Sequence, residues 1–143
     1  VQLLAGIVST LPLHFYQRQT GARDRVDHDY WWLFNESANT EYTSAAAWEF
    51  GMESRLLAGD LMSYLERDRR GKVVAVYPMH PRAVSVRRME GGWRMYTWCK
   101  PDGQIRTLHE DDVVHVPGLG FDGLRSLSPI RHFAGLNVVG LAL

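Results

Sequence analysis

Cysteine is almost absent from this chain: Cys99 is alone among 143 residues. A lone thiol makes no internal disulfide and cannot by itself build a zinc site, so Cys99 reads as a small buried hydrophobe and the redox compartment as one consistent with a cytosol. A charge excess is absent too, because 16 basic and 16 acidic residues cancel. No overall field draws the chain onto nucleic acid or an anionic membrane. Long apolar runs are also missing. The opening stretch Val1, Leu3, Leu4, Ile7, Val8 is interrupted by Gly6 and closed by Pro12, which is too short to span a bilayer. It has neither the charged start nor the small-residue cleavage site of a signal peptide, and no initiator Met. The chain therefore reads as soluble and as a piece of something longer.

What is present is large apolar side chains: five Trp, six Tyr and five Phe within a 45% hydrophobic composition. That is enough for one ordinary core, and so for one domain. The organising stretch runs from Asp111 to Leu143. It holds an apolar strand, Val113 to Val116, a glycine-rich passage, Pro117 to Gly123, and a helix opened by Ser128 as cap with Pro129 in the first helical position. Ile130, Phe133, Ala134, Asn137, Val138 and Leu141 then recur at helical spacing without a stop signal, as in a helix that continues beyond Leu143.

Gly118-x-Gly120-x-x-Gly123 matches the dinucleotide-binding pattern, but its context fails. In that fingerprint the glycines open the helix directly and an acidic residue follows about 20 positions later. Here the helix signal arrives only at Ser128, and no Asp or Glu follows Asp122.

Before that stretch, Leu13 to Gln17 alternates as a strand, and Arg23-Asp24-Arg25 reads as an exposed turn. Asp27 is positioned to cap a short helix, Asp29 to Asn35, whose Tyr30, Trp31, Trp32, Leu33 and Phe34 exceed what one core needs. Trp31 or Trp32 is thus a candidate for contact with a partner subunit. Thr43 or Ser44 caps a helix that runs to Ala58 and stops at Gly59, with Trp48, Met52 and Leu56 as its expected core stripe. From Asp60 the period switches to two. Six short strands are predicted between Asp60 and Val116, linked by turns at Asp68-Arg69-Arg70-Gly71, Pro78 to Pro81, Glu90-Gly91-Gly92, Pro101-Asp102-Gly103 and His109 to Asp112. The fold class is α+β: N-terminal helices plus a small, mostly antiparallel six-stranded barrel or sandwich, ending in a truncated helix. The divisions are 1–59, helical with one short strand; 60–117, the small barrel; and 118–143, the glycine-rich connection and the start of a long helix.

No group of residues makes a credible active site. His109, Glu110, Asp111, Asp112 and His115 sit at a turn with no second set of ligand-type residues at recognisable spacing, so no metal, cofactor or acid–base pair is assigned. Ser128 has no nucleophile frame. The basic turn Arg69-Arg70-Gly71-Lys72 and the pair Arg87-Arg88 lack interleaved aromatics and read as solvated hairpin surface, leaving any nucleic-acid-binding residue unknown.

Taken in order, Leu11-Pro12-Leu13-His14-Phe15-Tyr16, Gly59 to Asp68 followed by Gly71, Val76-Tyr77-Pro78-Met79-His80-Pro81 with Val84-Ser85-Val86, Pro101-Asp102-Gly103, Asp111 to Val116, and Gly123-Leu124 through Leu127-Ser128-Pro129-Ile130 resemble the phage portal proteins of the HK97 type. The resemblance spans nearly the whole chain. It departs at Asp60, where Asn is commoner, and at Ser126, where Gly is commoner. It implies a structural, non-catalytic subunit without cofactors, which forms a homo-oligomeric ring (a dodecamer in the family) at one capsid vertex of a phage or prophage. Double-stranded DNA passes through such a ring without sequence specificity. The implied partners are the terminase motor, the capsid and the head–tail connector proteins, with no membrane. The implied location is the virion, after assembly in the bacterial host cytoplasm. The chain would be the peripheral wing, with the channel-lining and terminase-facing parts beyond Leu143. Subunit contacts are expected at Trp31, Trp32, Phe133, Val138 and Leu141. From the residues alone, a free-standing small-barrel module for protein or nucleic acid is the alternative.

Overall fold

A computed structural model describes residues 1–140, except for the side chains of Gln19 and residues 135–140. The chain runs α1 (Gln2–Ser9), β1 (Phe15–Gln19), β2 (Ala22–Val26), α2 (Trp31–Asn35), α3 (Ser44–Ala58), β3 (Asp60–Arg67), β4 (Val73–Met79), β5 (Val84–Arg88), β6 (Arg94–Cys99), β7 (Ile105–His109), β8 (Val113–Pro117) and α4 (Pro129–Gly140). The fold is α+β, with three antiparallel sheets ordered β1-β2, β4-β3-β8 and β5-β6-β7.

The six strands after Gly59 form a two-layer sandwich and do not close into a barrel. Pro81–Ala83 and Glu110–Asp112 are short 3-10 turns that carry the chain from one three-stranded sheet to the other. Across the first turn β4 and β5 go to different sheets without pairing. Between the layers lie Met62, Tyr64, Met79, Val84, Tyr96, Trp98 and Leu108, all buried. Period-two alternation explains which residues of β6 face inward: Tyr96 and Trp98 are buried while their neighbours are not. Cys99 falls on the opposite parity and is exposed, contrary to its reading as a buried hydrophobe.

β3 is buried on both faces through its first five residues. Met62 and Tyr64 face the second sheet, and Leu61 faces α3. α3 is capped by Thr43, whose hydroxyl accepts the Ala46 amide at 3.2 Å, and ends at Gly59, whose φ of 99° closes the helix. The buried residues of α3 are Ser44, Gly51 and Ser54, not Trp48, Met52 and Leu56, which are only partly buried. Small side chains let helix and sheet approach closely, and the large ones fill the margins. Trp48 stacks on Phe34 and donates its indole N–H to the Phe34 carbonyl at 3.0 Å.

Two N-terminal expectations are corrected. The charged run Arg23-Asp24-Arg25 is not a turn but part of β2, so the region before Gly59 holds a hairpin instead of one strand. α2 begins at Trp31, and Asp27 does not cap it; the His28 ring nitrogen accepts the Tyr30 amide at 3.1 Å at this entry. The polar loop after α2 covers the outer edge of β4. Asn39, buried, donates to the Val76 carbonyl at 2.7 Å, while Val76 donates to the Ala38 carbonyl at 2.8 Å.

A side chain at Gly51 meets Leu61, since a Cβ there stands 2.8 Å from a Leu61 methyl. An apolar void of about 50 Å³ borders Leu61 and lets it yield to a single methyl. Gly51→Ala is therefore expected to be near neutral, because helix propensity returns roughly 1 kcal/mol. Gly51→Val overpacks the layer and should cost about 1–3 kcal/mol, read as a lowered urea midpoint at unchanged slope.

Candidate functional site

Among the described residues, the buried cluster of ionisable side chains forms around Asp60, the first residue of β3. Its side chain is fully buried, yet three elements converge on it. His115 of β8 places Nε2 3.0 Å from Oδ1, and Arg125, in the loop before α4, places Nε 3.0 Å from Oδ2. The Ser126 amide donates to both oxygens at 3.2 and 3.3 Å. Tyr96 of β6 lies with its hydroxyl 3.1 Å from His115 Nδ1. A neutral imidazole fits this chain of contacts: Nε2–H donates to Asp60 and Nδ1 accepts from Tyr96. The Arg125 guanidinium supplies a fixed positive charge beside the carboxylate. Burial pushes the Asp60 carboxyl up, but hydrogen bonds from His115 and Ser126 outweigh it and hold the group below the usual carboxylate range. Burial raises the Tyr96 phenol.

Arg125 extends the network to the other layer. Its terminal nitrogens donate to the carbonyls of Val84 at 2.6 Å and Pro81 at 2.9 Å. The glycine-rich loop is packed just as tightly. A Cβ on Gly118 would strike the Gly59 carbonyl, and one on Gly59 would strike the Leu127 carbonyl. Of the glycines in the dinucleotide-like pattern, Gly118 thus serves the contact between this loop and the α3–β3 junction, while Gly120 makes room for the Leu127 side chain and Gly123 lies beside Arg88. Ser128 donates to the Leu57 carbonyl at 3.0 Å and stands 3.5 Å from the Arg131 amide at the start of α4.

Asp60, His115 and Tyr96 are arranged like a catalytic relay but are sealed. The His115 side chain is 2% exposed and Tyr96 1%, so no substrate reaches either ring. The remaining members of the acidic and histidine cluster point elsewhere. Glu110 pairs with Arg94 at 3.1 Å, Asp112 with Arg67 at 2.9 Å, and His109, stacked on Trp93, with Asp111 at 3.2 Å. Among the described residues no three His, Cys, Asp or Glu side chains are placed to share a metal ion. A surface cleft of about 420 Å³ lies between the two sheets. It is lined by Tyr64, Tyr77 and Trp98, with the Arg106 guanidinium already seated 4.4 Å from the Tyr64 ring centre.

The residues expected at subunit contacts are not brought together into one site. Trp32 is 63% and Phe133 64% exposed, on α2 and α4, while Trp31 is half-buried. Val138 lies in α4 with its side chain outside the described residues, and Leu141 lies outside them altogether. Sequence reasoning missed the Asp60 cluster because its members are 55 and 65 positions apart. The available signal was a carboxylate standing directly before an apolar strand.

Comparison with known proteins decides what this scaffold belongs to. The sequence model of one family, described as phage portal protein, matches residues 1–143, the whole chain. The chain belongs to the phage portal protein family. Proteins of that family have a structural role in the phage portal and are in general not catalytic. In fold, the portal chain is similar to a chain in the neck of an empty gene transfer agent (GTA) particle computed with C6 symmetry, with a TM-score of 0.61 at 19% identity over 75% of its length. It spans 30% of the length of that neighbour. No curated protein matches it significantly. Among its described residues no helix is long and apolar enough to cross a membrane.

Removing Asp60 strands a partly exposed guanidinium and a buried imidazole, so Asp60→Ala should cost about 1–3 kcal/mol for the group left buried and unpaired. Asp60→Asn should cost clearly less, since the amide keeps the shape and the His115 ring can exchange its proton between nitrogens to accept from it. The depressed carboxyl contributes stability above about pH 4, its unfolded value, and loses it as pH falls through the lower folded value. Urea melts at pH 7 and pH 3 should therefore show the gap between wild type and Asp60→Asn shrinking in acid. An unchanged gap would place the stabilisation elsewhere.

Proposed function

We propose that this chain is the wing of a portal subunit, several copies of which close into a ring through which double-stranded DNA enters and leaves a phage head. The observation that carries the reading is the portal family match over every residue of the chain. In this reading the subunit supplies no catalysis. Terminase, capsid and head–tail connector proteins dock on the assembled ring, which is built in the bacterial host. The neck particle computed with C6 symmetry, to which a related fold belongs, is in keeping with a cyclic assembly.

The sandwich suits such a part. The Asp60 cluster locks the direction in which α4 leaves the body, and a ring needs each copy to present its contact surfaces at one fixed angle. A closed ring joins two different surfaces head to tail. Large exposed apolar side chains occur on more than one helix: Leu3, Leu4 and Ile7 on α1, Trp32 on α2, and Ile130 and Phe133 on α4. Surfaces of that kind are covered in assemblies. Trp31, Trp32, Phe133, Val138 and Leu141 are assigned to the contacts between copies.

Sedimentation should show concentration-dependent self-association. Trp32→Asp and Phe133→Asp should each weaken it by about tenfold or more, as for loss of an interface anchor worth above 1.4 kcal/mol, with an unchanged circular dichroism spectrum. A strict monomer at high concentration, with both substitutions silent, would remove the interface assignment.

A further inference from the structure

The balanced charge of the chain hides a one-sided distribution on the β1–β2 hairpin. In its register Tyr16 stands opposite Arg25, Gln17 opposite Asp24, and Arg18 opposite Arg23. Side chains alternate along each strand, so Tyr16, Arg18, Arg23 and Arg25 share one face, and the only acid, Asp24, is on the other. All four are exposed. Among the described residues none of the three guanidiniums makes a salt bridge or side-chain hydrogen bond. Like charges directly opposite on paired strands destabilise the pair, and a two-stranded hairpin is marginal in water to begin with. The hairpin is held at its base, where Phe15 stacks on His28 and lies against Phe34, and where the Asn35 side chain bonds both the amide and the carbonyl of Leu13. Its distal part carries an unrelieved positive face.

We propose that this face binds the sugar–phosphate backbone of double-stranded DNA. Arg23 and Arg25 lie two residues apart along one strand, roughly 7 Å, and Arg18 lies across the ladder about 5 Å away, so three cations form a compact triangle. Arginine engages phosphate with two parallel N–H donors, and the Tyr16 hydroxyl adds another donor of the kind that positions proteins on a duplex. A two-stranded ribbon also fits the width of the major groove. An acidic protein surface is the less suitable occupant. The centre of a protein interface is depleted of charge and rich in apolar anchors, and Tyr16 is the only aromatic on this face. The contact is sequence-independent, because phosphates carry no base identity. It rests on the hairpin's register, not on the ring.

The test is fluorescence anisotropy of the purified chain with a labelled 20-base-pair duplex of arbitrary sequence, titrated at rising salt. Three phosphate contacts give a slope of log K against log salt of about −2.7, and hence about 40-fold weaker binding at 200 mM than at 50 mM. Arg18→Gln, Arg23→Gln and Arg25→Gln should each lower the slope by about one, and the triple variant should abolish binding. The Lys replacements should keep the slope. Arg69→Gln with Arg70→Gln, at the β3–β4 tip, should leave it unchanged, and circular dichroism should confirm that every variant is folded. No binding at 20 mM salt, a slope untouched by the triple variant, or tighter binding to polyglutamate or to a single strand than to the duplex would each overturn the proposal. None of these outcomes alters the self-association by which the portal reading is judged.

Discussion

Asp60 is the constraint on which the rest of the structure depends. A carboxylate with no exposed surface survives only if its charge is answered and its lone pairs are occupied, and here the answers come from β8 and from the loop before α4. Each partner is itself tied further out, His115 to Tyr96 in the second sheet and Arg125 to the carbonyls of Pro81 and Val84. One side chain therefore fixes the spacing of the two layers and the path of the glycine-rich loop. A buried ion pair is weak grounds for net stability, since desolvation offsets most of the attraction. Its stronger effect is on uniqueness: any other seating of the 118–128 loop would leave a charge unanswered.

Close backbone approach complements that lock. Gly59 ends α3, and the strand that starts one residue later carries the carboxylate, while the Gly118 and Leu127 backbones press against the same point. The Arg55 side chain donates to the Pro117 carbonyl at 3.2 Å, closing the ring of contacts from the helix side. Helix end, strand start and loop are thus a single rigid junction, and α4 begins one residue beyond Ser128, which is bonded to Leu57 in the last turn of α3. A tilt of α4 relative to the sandwich would have to break several of these contacts together.

Much of this fold is legible in the sequence because it is local. The alternation of Tyr96 and Trp98, the caps at Thr43 and Gly59, and the serine–proline opening of α4 each depend on neighbours within a few positions. The ordered motifs from Leu11 to Ile130 were enough to suggest the family. What was not legible is what depends on distance or on competition between rules. Nothing near Asp60 announces partners at 115 and 125. The run at 23–25 reads as a turn because charge is the commoner companion of loops, whereas a hairpin exposed on both faces has no apolar alternation to reveal it. The α3 stripe was misplaced because size was taken for burial, when close helix–sheet packing favours Ser44, Gly51 and Ser54. Sandwich and barrel share one alternation pattern, and only the unpaired β4–β5 and β7–β8 connections separate them.

The contrast between what is tied and what is left open bears on how such a subunit is used. Several charges in the body are paired, at Asp60 with Arg125 and in the surface pairs Arg67–Asp112, Arg94–Glu110 and Lys72–Asp29. The exposed pairs contribute little to stability, a median of about 0–1 kcal/mol, but they leave that surface with little net field. Large apolar side chains are exposed on α1, α2 and α4, and also at Ile105 of β7 and Leu119 of the glycine-rich loop, while one face of the β1–β2 hairpin exposes charge of one sign. Apolar surface answers to association and unopposed cations to polyanions, so the two kinds of open surface are separable in both residue and solvent dependence: salt weakens the second while strengthening or sparing the first.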